Sequence, residues 1–239
     1  MNQKVLWKIE SLCQKYFTKN SKSTIDVMSL YKDNISIYNL DFKIVEEFDF
    51  SQSENVVHSD KYGEYKGLKN SQVLFLNGKP IYLFDNHNKI VHPFLEYYEV
   101  VGKEFDVVHI DAHDDDALFG GIKPQKTEIE KVESYIKKTR ISDFFDFVSE
   151  SNLIKKIHRY TKSNNFEEFK KPENPYILSL DIDIFGVEGD FVDLESKVKI
   201  IAKAWFEAEV VCIAMSPGFI DQRFAEDIIK IFIKEKPYK

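Results

Sequence analysis

The stretch HIDAHDDD, His109 to Asp116, puts four aspartates and two histidines into eight positions directly after the apolar run FDVV. A second stretch, LSLDIDIF at 178–185, carries apolar residues straight into Asp181 and Asp183. Side chains alternate along a strand, so Asp111, His113 and Asp115 are expected to project to one side if the strand persists, and Asp181 and Asp183 likewise. Parallel α/β sheets open their ligand crevices at the carboxyl ends of strands. Four aspartates sharing one crevice would repel one another and resist desolvation unless positive charge sat between them. Neither stretch contains a lysine or arginine. Two divalent cations would balance four aspartates, and mixed imidazole and carboxylate ligands suit Mn, Fe, Co or Zn better than Ca or Mg. The competing reading is a solvated acidic turn or an acidic helix cap.

The elements that must position these residues are legible from residue 72 onward. Strand-length apolar runs occur in QVLFLNGKPIYLFDNH, FDVVHIDAH, PYILSLDIDIF and EVVCIAMSPG. Helix-spaced stripes occur at 127–139, at 193–208 (Leu194, Val198, Ile201, Ala202, Trp205, Phe206) and at 221–235, where Asp221 is a candidate N-cap. Strands apolar on both faces that alternate with amphipathic helices predict an α/β fold around a mostly parallel sheet. Residues 1–71 read as an N-terminal elaboration of the same domain. They hold a helix with Val5, Leu6, Ile9, Leu12, Cys13, Tyr16 and Phe17 on one stripe, a strand-like segment at 36–48 and a loop-like one at 51–67. Residues 72–239 form the core that carries the motifs.

Here the motifs meet a known family. DAHDD (111–115) resembles the Asp-Ala-His-x-Asp motif of the arginase superfamily, and SLDIDIF (179–185) resembles its Ser-x-Asp-x-Asp motif. FDNHN (84–88) sits where those enzymes carry a ligand histidine, and SPGF (216–219) follows the last strand. The overall pattern, spanning roughly residues 72–235, looks most like the peptide arginases, which convert peptide arginine to ornithine. The resemblance implies a three-layer α/β/α, arginase-like fold with two divalent metal ions, usually Mn2+. It implies His87, Asp111, Asp115 and Asp181 on the first metal and His113, Asp183, Asp111 and Asp181 on the second. Asp111 and Asp181 would then be both bridging ligands and catalytic groups. Metals sharing a water can deliver hydroxide to the guanidinium carbon. The implied substrate is an arginine-containing peptide or a small guanidino compound. Alternatives on the same fold are hydrolysis of an amidino or formimino compound or of an amide, and metal binding without catalysis.

Arginases of free arginine carry a substrate-binding glutamate after the last strand and a histidine beyond the DAHDD motif. CIAMSPGFID has no glutamate, and DALFGGIKPQKTE has no histidine. Asp114, Asp116, Glu96 and Asp221 are the candidate guanidinium partners in their place, with Asp114 taken into the catalytic set. His109, two residues before Asp111 on the same strand side, is a candidate supporting group, set against plain core burial. His92 is a candidate proton shuttle or substrate contact. His58 and His158 read as surface residues, and Gly120-Gly121 as a turn or a place of close backbone approach.

Composition narrows the function classes. With 33 basic and 40 acidic residues the net charge is −7, which argues against a nucleic-acid partner. The lysine runs IKKIHRY and FKKPEN read as solvated faces. Cys13 and Cys212 form no CxxC or Cys/His cluster and read as core residues, which fits a reducing, cytoplasmic setting. The N-terminal segment has no signal-peptide core, and no run has the length and apolarity of a membrane span. A homo-oligomer is left open.

Overall fold

The computed structural model describes residues 3–17, 42–115, 144–145 and 153–235. Its centre is a seven-stranded sheet. In chain order its strands are β1 (Phe42–Val45), β4 (Ser71–Leu76), β5 (Lys79–Phe84), β6 (Phe105–Ile110), β7 (Ile154–Tyr160), β8 (Tyr176–Asp181) and β9 (Val210–Ala214), and in space they lie β1-β4-β5-β9-β8-β6-β7. Five neighbours, from β5 to β7, run parallel, while β4 is antiparallel to β5. Asn77 and Gly78 both have positive φ and form the tight turn between β4 and β5, so QVLFLNGKPIYLF is a hairpin of two strands. β1 pairs in parallel with β4 at the sheet edge.

Alternation along the strands feeds two separate cores. Ile81, Leu83, Leu178, Leu180, Val211 and Ile213 pack with α1 (Gln3–Phe17), α3 (Leu194–Glu207) and α4 (Gln222–Glu235). Their sequence neighbours Phe84, Ile177, Val210 and Cys212 pack with α2 (Val91–Val101) and with Phe144 and Phe145. An α/β sheet with helices against both faces is the layering expected of a three-layer α/β/α fold.

The helix boundaries follow the capping residues. The Asp193 carboxylate accepts from the Ser196 N–H at 2.9 Å to start α3, and Asp221 accepts from the Arg223 and Phe224 N–H groups at 3.0 Å to start α4. Trp205 is buried and stacks on Phe232, but Phe206, read as part of the same apolar stripe, is 58% exposed. The α3 face contacting the sheet is therefore narrower than the apolar pattern suggests. α1 packs on α4, with the Tyr16 ring stacked on Phe224, and β1 extends the sheet, so elements from both sides of position 71 share one core. The segment at 51–67 is not a loop. It forms a hairpin of β2 (Gln52–Asp60) and β3 (Gly63–Leu68), whose polar outward residues hide the strand alternation. The helix predicted at 127–139 and the Gly120-Gly121 turn lie outside the described residues. Cys212 is buried and Cys13 half-buried; burial raises both thiols, Cys13 to about 11, so neither is poised as a nucleophile. No helix among the described residues is long and apolar enough to cross a membrane.

Candidate metal centre

Four adjacent strands, β5, β9, β8 and β6, end on the same side of the sheet, and the polar residues that follow them converge. His87 opens a 3-10 turn, His87–Ile90, just after β5. That turn is held by a buried ion pair between Lys89 Nζ and Asp85 Oδ1 at 2.7 Å, while Asp85 Oδ1 also accepts from the Asn86 N–H at 2.7 Å. His87 Nδ1 then lies 2.9 Å from Asp111 Oδ2, 3.1 Å from Asp115 Oδ2 and 3.2 Å from Asp181 Oδ2.

The aspartates reach this point by leaving their strands. β6 stops at Ile110, so the expected continuation of the strand through Asp115 does not occur. Instead Asp111 Oδ1 accepts from the N–H of His113, two residues on, at 2.7 Å, which turns the chain. The same device recurs after β8, where Asp181 Oδ1 accepts from the Asp183 N–H at 3.0 Å. In both aspartates one oxygen fixes the turn and the other points at His87. Asp115 completes the group from a left-handed conformation, φ 50°, and Ser216, which donates to Asp181 Oδ2, has φ 43°. Apart from Asn77 in the hairpin turn, these are the only non-glycine residues with positive φ among the described residues. Each such conformation costs about 1–3 kcal/mol, and both sit at the cluster.

A second focus shares Asp111. His113 Nδ1 lies 3.3 Å from Asp111 Oδ1 and 3.1 Å from Asp183 Oδ2, and its Nε2 meets Glu188 Oε2 at 2.5 Å. Candidate ligand atoms of His87, His109, Asp111 and Asp115 all lie within 4.8 Å of one another, as do those of Asp111, His113 and Asp183. The first group is buried throughout and could hold a metal ion.

The donor set fits a cation. His87 Nδ1, Asp111 Oδ2 and Asp115 Oδ2 are buried and close, yet none is aligned in a hydrogen bond. Lone pairs that meet head-on at one point suit a positive ion better than one another. The acid–base balance says the same. Burial opposes charge on His87, but Asp111, Asp115 and Asp181 outweigh it and hold its pKa well above the ordinary imidazole value. Burial likewise opposes charge on His113, which Asp183, Asp111 and Glu188 raise. Burial and the charge of Asp111 push Asp115 up to about 8, and burial with Asp181 and Asp111 raises Asp183 well above the carboxylate range. Asp111 moves the other way: burial is overcome by His113 and His87, which lower it. Without a cation, protons do the neutralising.

His109 plays a different part from the other histidines. It is fully buried, and burial pushes its pKa down to about 3, so it is neutral. Its Nε2 faces the His113 carbonyl at 3.2 Å, which can only accept, so Nε2 carries the proton and Nδ1 accepts from the Ser179 hydroxyl at 3.3 Å. Ser179 Oγ in turn accepts from His87 Nε2–H at 2.9 Å. This relay leaves the His87 Nδ1 lone pair, once deprotonated, aimed at the carboxylates.

The structure therefore gathers His87, Asp111, His113, Asp115, Asp181 and Asp183, with His109 behind them. Asp114 is not part of the group: its carboxylate is taken by the Thr161 hydroxyl and by Lys162 Nζ at 3.2 Å. Glu96 accepts from the Tyr82 hydroxyl at 2.7 Å and pairs with His92 at 3.2 Å, and Asp221 caps α4. Asp116 lies outside the described residues. His58 is buried, against the surface reading, because its ring stacks on Tyr65 and lies against Phe219. His158 is half-buried and bonded to Asp106 at 3.0 Å. The sequence places Ser179 and Ser216 only within quoted motifs, without a role, and does not mark Glu188. Ser179 precedes Asp181 as His109 precedes Asp111, a parity that could have identified it, whereas nothing local marks Glu188.

No protein-family model, curated protein or solved structure matches the chain.

Proposed function

We propose that this protein is a binuclear metal hydrolase of the arginase type, holding two Mn2+ ions and converting arginine within a peptide to ornithine with release of urea. The observation that supports it most is the sharing of Asp111 between two groups of ligands. Asp111 and Asp181 would be shared, with His87 and Asp115 on one ion and His113 and Asp183 on the other. Bound there, the ions would supply an acidified water and a strong local field at an electrophilic carbon. The chain's own residues do the rest. Asp111 and Asp181 fix both turns and neutralise charge at the focus, the Ser179–His109 relay orients His87, and the buried surroundings exclude competing water.

Hydrolysis adds the oxygen of water to the guanidinium carbon and breaks its bond to the chain nitrogen, which leaves protonated as the ornithine amine. Access is from the side of His113 and Glu188, whose side chains are 29% and 24% exposed while His87 and Asp111 are closed off. The net charge of −7 favours a cationic substrate and disfavours nucleic acid, and two free cysteines suit a reducing cytoplasm. The test is to load metal-free protein with Mn2+ and assay urea from free arginine and from arginine-containing peptides. Two ions per chain and urea from the peptides are expected. Full metal loading with no urea from any guanidino compound refutes the chemistry, and absence of metal uptake refutes the centre.

A further inference from the structure

We infer that Glu188 is a positioning residue that holds His113 for the more open of the two cation positions, so that the ions load in two unequal steps. The inference rests on the metal-centre reading and adds a residue and an order of loading to it.

His113 is the most exposed of the histidines at the centre, and its ring is flanked by Phe219 edge-on at 5.4 Å. A carboxylate only accepts, so at 2.5 Å from Glu188 Oε2 the His113 Nε2 is the donor. With Nε2 committed, the ligand atom left is Nδ1, which already faces Asp111 and Asp183. Glu188 thus selects both the tautomer and the rotation of the ring. His87 receives the equivalent support from Ser179 in a closed interior, where Phe144 also packs against it at 4.9 Å.

The backbone is shaped to deliver this carboxylate. Directly after Asp183, two consecutive tight turns are pinned by Gly186 N–H to the Asp183 carbonyl at 2.6 Å and Gly189 N–H to the Gly186 carbonyl at 3.2 Å. Gly189 lies so close to the Ile184 carbonyl that any Cβ there would collide with it. The segment carrying Glu188 is therefore packed down against the residues that follow the ligand pair.

The experiment is a calorimetric Mn2+ titration of metal-free wild type, E188A and E188Q, with imidazole proton NMR of the same metal-free samples. Wild type is expected to bind in two steps. E188A should leave the tighter step unchanged and weaken the other about 10- to 100-fold, the usual effect of removing a carboxylate that orients a ligand histidine. E188Q, whose amide oxygen still accepts from Nε2–H, should retain more of that step than E188A. A downfield, slowly exchanging His113 Nε2–H signal should be present in wild type and lost in E188A. An unchanged weaker step, an equal loss of both steps, or persistence of that signal in E188A overturns the role of Glu188. Wild type that takes up no cation overturns this inference together with the centre, whereas two normal steps in E188A overturn Glu188 alone.

Discussion

Asp111→Asn is the sharpest perturbation the geometry offers, because Asp111 belongs to both clusters of candidate ligands. The asparagine amide oxygen can still accept the His113 N–H that Asp111 Oδ1 accepts at 2.7 Å, so the turn should survive. What is lost is one negative charge facing both cation positions. A unit charge and a dication at about 4 Å attract by about 8 kcal/mol at the effective dielectric of a protein site. Desolvating a carboxylate returns several kcal/mol of that. A net loss of about 3–4 kcal/mol per ion remains, or about 10^2- to 10^3-fold in affinity. The metal-free fold should lose stability as well, because the Asp111 charge, though it repels Asp115 and Asp183, is held by His87 and His113, which lower its pKa despite burial. The assay is metal content after dialysis, calorimetric Mn2+ titration, and thermal melting of the metal-free protein. A cooperative melt at a temperature lowered by a few degrees, which shows the chain still folds, with both ions lost, is the expected result. Two ions retained at wild-type affinity would refute the reasoning.

Ser179→Ala removes the middle of the relay and leaves His87 Nε2–H and His109 Nδ1 without their shared partner; metal affinity should fall about 10- to 100-fold, less than in Asp111→Asn, and a titration indistinguishable from wild type would count against the relay. Metal affinity should rise with pH: His87, His113, Asp115 and Asp183 have raised pKa values without metal and hold protons that a cation must displace, and the dependence should weaken above about 8, where Asp115 loses its proton unaided. Calorimetry in buffers of different ionisation enthalpy measures that proton release, and none between pH 6 and 8 would contradict the assignment. Lys89→Met strands the buried Asp85 carboxylate and should destabilise the fold by about 3–5 kcal/mol in denaturant unfolding, whereas a loss under about 1 kcal/mol would mean that the pair contributes little.

The acidic strand ends were legible because composition alone sets the problem: carboxylates directly after apolar strands, with no cation nearby in sequence. Sheet class followed from the apolar runs of β6, β8 and β9. The means of convergence was not legible. Alternation suggested an extended Asp111–Asp115, but the shared Asp-x-His and Asp-x-Asp turns depend on a side-chain oxygen capturing a backbone N–H, which competes with the strand ladder and wins where β6 runs out. The β2–β3 hairpin is not legible because a strand pair outside the main sheet exposes most of its side chains, and the burial of His58 within it is equally hidden. Glu188 was invisible since its partner is 75 positions away and only a tertiary turn joins them.

The centre takes its groups from the ends of β5, β6, β8 and β9, which span the chain from Asp85 to Ser216. No shorter stretch of polypeptide contains the whole set, so the candidate ligands meet only once distant strands have assembled. Cation uptake would then act as a clasp that closes last, rewarding the finished sheet and no partial one. During synthesis, tight uptake should wait until β9 has emerged, which would make metal retention a report on completed folding as well as on readiness for chemistry.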